Sequence, residues 1–175
     1  MATATVLEKH KEATLKEQRV ARFAGVVTGL FTVLWAVLLS GAFGDYDAAP
    51  LPWTIAAHGR SLLSALIVYF YCRHVAHRTR AAGLLCFVAV AFFFADVGLS
   101  FQYSPYFGIA LMAWGASARR PLLAGSGVLA LGAAILARVE HESGVLAIAG
   151  SGVMILATAL AMRPKNPSMS QQSAS

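Results

Sequence analysis

Charge is scarce in this chain: of 175 residues only 13% are charged, against roughly 25% in an ordinary soluble domain. Hydrophobic residues make up 58%, and the mean hydropathy is +0.64. A water-soluble sphere of 18.5 kDa with this composition would carry too much apolar surface, so an integral membrane protein is expected instead. Cysteine is nearly absent. Cys72 and Cys86 are too few for a disulfide framework, and their spacing fits neither a redox pair nor a zinc site. Both read as ordinary apolar-phase residues. Acidic residues number 8 against 14 Lys and Arg, giving a net charge of +6. Basicity of that size fits a nucleic-acid binder or the positive-inside bias of a membrane protein, and the placement of the charges favours the second.

Catalytic signatures are missing as well. There is no GxSxG elbow, no HExxH, no phosphate-cradling glycine loop and no dinucleotide fingerprint. No lysine lies in an apolar segment, which excludes a retinal Schiff base. His58 alone falls within an expected span, which disfavours haem held by two histidines. No cofactor and no metal is therefore expected, and the reading leans away from an enzyme.

What the chain has in quantity is long apolar runs. A bilayer core about 30 Å thick needs about 20 helical residues. Phe23 to Gly44 supplies them without a single charge. Trp53 to Cys72 holds His58, Gly59 and Arg60, and its remainder from Ser61 is too short to cross alone. Ala81 to Ser117 is too long for one span and carries a break at Gln102-Tyr103-Ser104-Pro105, which predicts two short helices. Pro121 to Ala137 and Gly144 to Met162 complete six spans.

Sidedness supports that count. With the N-terminus in the cytoplasm, twelve of the 14 basic residues lie inside, all save Arg60 and Arg138, whereas Asp45, Asp47, Asp96, Glu140 and Glu142 fall on the far side. Merging residues 81–117 into one span would reverse the later charges against the positive-inside rule. The expected fold is an all-α integral membrane bundle of six short transmembrane helices (23–162). A cytoplasmic N-terminal helical extension (1–22) precedes it, and a disordered cytoplasmic tail (163–175) follows. Both termini are cytoplasmic, and a bacterial plasma membrane is the expected setting.

Within the extension, Glu12 stands four residues before Lys16, the favourable order for a helical ion pair. Ala124-Gly125-Ser126-Gly127-Val128 recurs as Ala149-Gly150-Ser151-Gly152-Val153. Such small residues let helices approach closely, as expected along Gly125, Leu129 and Ala133 or along Ala130 and Ala134. A discontinuous ligand-binding helix is the alternative.

Chemistry concentrates at few positions. Arg60 stands about 18 Å above the cytoplasmic end of its helix and Asp96 about 24 Å above its own, so an ion pair between neighbouring helices is within reach. That pair reads either as a structural staple or as a ligand-binding or proton-handling site. His58 points elsewhere, toward Glu140, His141 and Glu142 or the loop with Asp45, Tyr46 and Asp47; these form a weak candidate for a hard-cation or proton-responsive cluster, or simply a solvated acidic loop. Cys72, His74 and His77 superficially offer metal ligands, but the interleaved Arg73, Arg78 and Arg80 favour anionic lipid head groups, as do Arg119 and Arg120. Trp53, Tyr103 and Tyr106 are expected in an interfacial belt on the outer side, with Tyr69 and Tyr71 on the inner.

The first span ending Ser40-Gly41-Ala42-Phe43-Gly44-Asp45, and the late segments Leu122-Leu123-Ala124-Gly125-Ser126-Gly127 and Ile148-Ala149-Gly150-Ser151-Gly152, resemble the HdeD-type acid-resistance membrane proteins. The resemblance implies a stress-associated inner-membrane role with no catalytic residue to carry over; the second span, with His58 and Arg60, departs from that family's apolar pattern. Phe94-Ala95-Asp96-Val97-Gly98-Leu99 followed by Phe107-Gly108 is similar to part of the lysoplasmalogenase-type membrane hydrolases. This would make Asp96 catalytic, in a chain two helices shorter than that fold. Two functional readings follow. The leading one is a membrane component working by helix packing with itself or within a larger membrane complex. The other is a small transporter or membrane-embedded enzyme with a polar pocket at His58, Arg60 and Asp96, open to the non-cytoplasmic side.

Overall fold

The computed structural model describes residues 2–41, 59–76, 80–99 and 103–162, and their side chains save those of 2–11 and 141. These residues form six helices and no strand: α1 (Ala2–Leu39), α2 (Arg60–Val75), α3 (Arg80–Leu99), α4 (Tyr106–Ser117), α5 (Pro121–Val139) and α6 (His141–Ala161). Four of them are long and apolar enough to cross a membrane: α3, α5, and the stretches Glu12–Leu39 of α1 and Glu142–Ala161 of α6. Among the described residues the regular structure is thus all helical, with a composition suited to lipid. The expectations placed on residues 42–58, on His77 and Arg78, on Gln102 and on the tail 163–175 lie outside the described residues.

Local sequence explains the boundaries. No proline interrupts residues 2–39, so the charged extension and the first apolar stretch run on as one helix of 38 residues. The ion pair expected along it forms, with Lys16 Nζ 2.7 Å from Glu12 Oε1. The break expected near Pro105 divides α3 from α4, and Pro121 opens α5 at the first helical position, where a missing N–H costs nothing. At 12 residues α4 is about 18 Å long, well short of a bilayer core. Its N-terminal turn therefore starts below the end of the bundle.

α1 and α4 are the central pair. α1 packs against α2, α4 and α6; α4 packs against α1, α3 and α5; and α5 packs against α6. The fold thus divides about α1 and α4 into a side holding α5 and α6 and a side holding α2 and α3.

The α5–α6 side is built on backbone contact. Gly108 on α4 and Gly127 on α5 face each other so closely that a Cβ on either would fall 2.7 or 2.6 Å from the other's carbonyl oxygen. Gly115 abuts the backbone of Ala124, Gly144 that of Ala137, and Gly152 the side of α1 at Val33. Gly25 and Gly29 turn the same kind of surface toward Ala159 and Leu156 on α6. In each copy of the repeated segment the second glycine makes such a contact, while the first, Gly125 or Gly150, has nothing within 4 Å. The expected row along Gly125 is therefore corrected. Gly127 is the contact residue because it, with Ala130 and Ala134, lies on the buried stripe of α5, whereas Gly125 lies on the outward one. Ser126 and Ser151, between the glycines, donate to the carbonyls of Leu123 and Ile148 at 2.8 Å, so neither hydroxyl reaches across a helix interface.

The α2–α3 side is different. Gly83 and Gly98 face open space, and α3 exposes Leu84, Phe87 and Phe94, each at 65–73%. Such a face requires an apolar solvent. Side-chain contacts hold this half together: the ring of Tyr71 stacks on Phe23 at 3.8 Å, and Cys86 Sγ donates to the Ala65 carbonyl at 3.5 Å.

Candidate functional site

Burial of polar groups concentrates where α1, α2, α3 and the start of α4 converge. Arg60, the first residue of α2, is 4% exposed, and its guanidinium carbon lies 3.8 Å from the ring centroid of Trp35 on α1. A cation over an indole face is attracted by the ring quadrupole, most strongly when both are removed from water. Ser61 follows, fully buried, with no hydrogen-bond partner for its Oγ among the described residues.

Asp96 enters from α3. It is 0% exposed, and neither carboxylate oxygen has a partner at hydrogen-bonding geometry among the described residues. The Ser104 hydroxyl and the Arg60 guanidinium are the groups that act on it, Ser104 as a side-chain neighbour and Arg60 through its charge. The expected direct closure of Arg60 on Asp96 is thus replaced by a looser arrangement. The guanidinium is spread over Trp35, and the carboxylate is coupled to it through space.

The shortness of α4 supplies the remaining members. Residues 103–105 form a non-helical turn carried into the bundle interior, where Tyr103 is 1% exposed and Ser104 is fully buried. Tyr103 Oη and Thr32 Oγ1 lie 2.8 Å apart, and Thr32 itself donates to the Thr28 carbonyl at 2.8 Å, which leaves the phenol to donate to Thr32. Ser104 Oγ accepts from the Tyr106 N–H at 3.4 Å, so its own proton remains available toward Asp96. The Tyr103 ring stacks beside Phe107 at 5.5 Å. The belt expected for Tyr103 and Tyr106 is therefore corrected: both rings are buried, because the turn that carries them dips inward from the end of the bundle. Irregular backbone at such depth is tolerated where protein covers it, or where it lines a cavity.

The other expected site residues are placed differently. His58 lies outside the described residues. Glu140 and Glu142 are exposed around the start of α6, and Ser143 donates to Glu140 Oε2 at 2.7 Å. His141 is the first residue of α6. Among the described residues no group of three or more His, Cys, Asp or Glu is placed to hold a metal. Cys72 is buried while His74, two residues on, is exposed. Arg138, which sequence reasoning passed over, donates from Nη1 to the Leu99 carbonyl at 2.8 Å and so closes the C-terminus of α3.

Thr32, Trp35, Ser61 and Ser104 were also missed as site residues. A hydroxyl inside an apolar run gives no signal of what it meets, since Ser and Thr can bond back to their own helix. Compared with family models, curated proteins and solved structures, the chain matches none. The residues themselves therefore carry the functional argument.

Proposed function

We propose that this chain is a multi-pass membrane protein that takes a small polar solute bearing hydrogen-bond donors into the cluster of Arg60, Ser61, Asp96, Tyr103 and Ser104. The supporting observation is the fully buried Asp96 carboxyl, on which, among the described residues, only the Ser104 hydroxyl and the charge of Arg60 act, neither closing on it at full hydrogen-bond geometry. A carboxyl group keeps acceptor sites in either protonation state, so a ligand or ordered water bearing N–H or O–H groups completes it. Arg60 offers the opposite charge, which suits a dipolar solute better than a bare cation. Polar groups buried in a bundle beside a broken helix are also how membrane carriers bind their substrates near mid-depth.

In this reading the chain passes the membrane six times with both termini in the cytoplasm, the short α4 making its pass together with the non-helical turn 103–105 that precedes it, and the site opens to the non-cytoplasmic side. The glycine-packed helices form the fixed frame, and the α2–α3 hairpin is the part that yields to admit solute. Action by packing with other subunits is the second reading: it rests on the outward glycines Gly83, Gly98, Gly125, Gly132 and Gly150, which have no neighbour within 4 Å, whereas the close-approach glycines are used within the chain. A stress role of the HdeD kind is compatible with a solute site but adds no residue to it.

Cysteine accessibility tests the proposal. In a chain with Cys72 and Cys86 replaced by alanine, Ser104→Cys is expected to react with a small membrane-impermeant thiol reagent added from the non-cytoplasmic side. Reaction is expected to quicken when Asp96 is present as asparagine, since removal of the neighbouring negative charge favours the thiolate. A folded Ser104→Cys protein inert from both sides would assign the cluster to internal packing alone.

A further inference from the structure

The opposite end of the bundle carries an excess of positive charge among its described side chains. Arg120 Nη2 donates to Gln18 Oε1 at 3.0 Å, which fixes the start of α5 beside α1, and the Phe23–Tyr71 stack brings the end of α2 to the same level. Arg19, Arg73, Arg80 and Arg119 are all exposed at this end. Of the two acidic side chains described there, Glu12 and Glu17, the first is engaged by Lys16.

Arg119 is unusual in its backbone as well. Its N–H donates to the Ala116 carbonyl at 3.1 Å, and the next N–H, of Arg120, reaches back to Gly115 at 2.8 Å. These two bonds are the Schellman ending of a helix, whose pivot residue is left-handed and is usually glycine. The pivot of α4 is Arg119, at φ 54°, whereas α1 ends on Gly41 at φ 75°. A left-handed helix ending is thus built once with the residue that geometry prefers and once with an exposed arginine. A side chain at positive φ clashes with its own carbonyl, so the arginine lowers stability relative to glycine. Residues kept at such a cost are candidates for function.

We infer that Arg119 is a lipid-binding residue: with Arg19, Arg73 and Arg80 it forms a cationic rim that seats the phosphate head groups of anionic phospholipids. The rim is complementary in charge to an anionic leaflet, and it occupies the ends of helices whose apolar faces require lipid. Arginine can hold a phosphate through two parallel N–H donors, and an arginine at this pivot projects from the end of α4 without any helix turn beyond it.

The experiment uses the full chain purified in a mild detergent and offered phosphatidylglycerol or phosphatidylcholine, with bound lipid counted by native mass spectrometry. The wild-type chain is expected to retain phosphatidylglycerol in preference to phosphatidylcholine. Arg119→Gly is expected to lose about fivefold in phosphatidylglycerol retention, the effect of one basic residue at an anionic surface. The same variant, freed of the left-handed strain, should melt roughly 2–4 °C higher in lipid-free detergent. Arg119→Lys, which keeps the charge but not the two parallel donors, should retain phosphatidylglycerol better than the glycine variant and less well than the wild type, with no gain in melting temperature. Unchanged phosphatidylglycerol retention in Arg119→Gly, equal retention of both lipids by the wild type, or a lower melting temperature for the glycine variant would each overturn the proposal.

Discussion

The two halves of the bundle are held by opposite means. On the α5–α6 side, glycines bring backbones into contact with α1 and α4, and buried hydroxyls are satisfied within their own helices. On the α2–α3 side, glycines face outward, phenylalanines are exposed, and a buried arginine and aspartate sit together without a direct hydrogen bond to the carboxylate. Close backbone packing leaves no slack, because interiors at that density respond to added atoms with strain rather than adjustment. The buried Asp96 carboxyl does the reverse: it leaves a place where a bound molecule improves the interactions. One half is thus suited to be a frame and the other to be a site.

Substitutions can break or sharpen this contrast. The largest effect is expected at Gly115→Leu, where the side chain must enter the backbone of Ala124; a loss of about 3 kcal/mol or more should remove folded protein. Gly125→Leu, facing outward on the same half, should change stability by less than about 0.5 kcal/mol, and equal losses at the two positions in detergent melting would erase the distinction between packed and open glycines. Next is the charged pair. Asp96→Asn is expected to change stability by no more than about 1 kcal/mol, since relief of the buried carboxylate is offset by the counter-charge that Arg60 loses. Arg60→Ala should lower stability by about 1–3 kcal/mol, through the lost contact with Trp35 and the lost counter-charge. If instead both single variants lose stability and the double variant recovers it, the pair is a staple and the α2–α3 half belongs to the frame. The smallest loss is expected for Tyr103→Phe. It removes one hydrogen bond to Thr32, worth about 1 kcal/mol, and is read as a modest fall in melting temperature.

The sequence made much of the helical plan legible. The break at Pro105, the start at Pro121 and the Glu12–Lys16 pair could be foreseen because proline geometry and helical spacing act locally. Arg60 and Asp96 stood out because ionisable residues in apolar runs are costly and therefore conspicuous. Their partners did not stand out. Thr32, Trp35 and Ser104 are residue types common in membrane proteins, and only the packing of α1 against α2 and the burial of the turn at 103–105 bring them to the charged pair. Tyr103 and Tyr106 were misplaced for the same reason, since a position near a helix end matches the end of the bundle only if the helix is long enough to reach it. The repeated Gly-Ser-Gly segments announced close packing, yet which glycine of each makes contact depends on how the helix is rotated.

Composition and local chemistry alone determined that this chain is helical and apolar, where several of its helices start and stop, and which charges are too costly to be incidental, because these follow from interactions within a few residues. The tertiary structure decided how those helices are rotated and how deep each one ends. Hence it alone decided that a carboxylate, a guanidinium and a set of hydroxyls converge in one half while glycines close the other, since contacts between distant segments depend on register and depth, which no local pattern encodes.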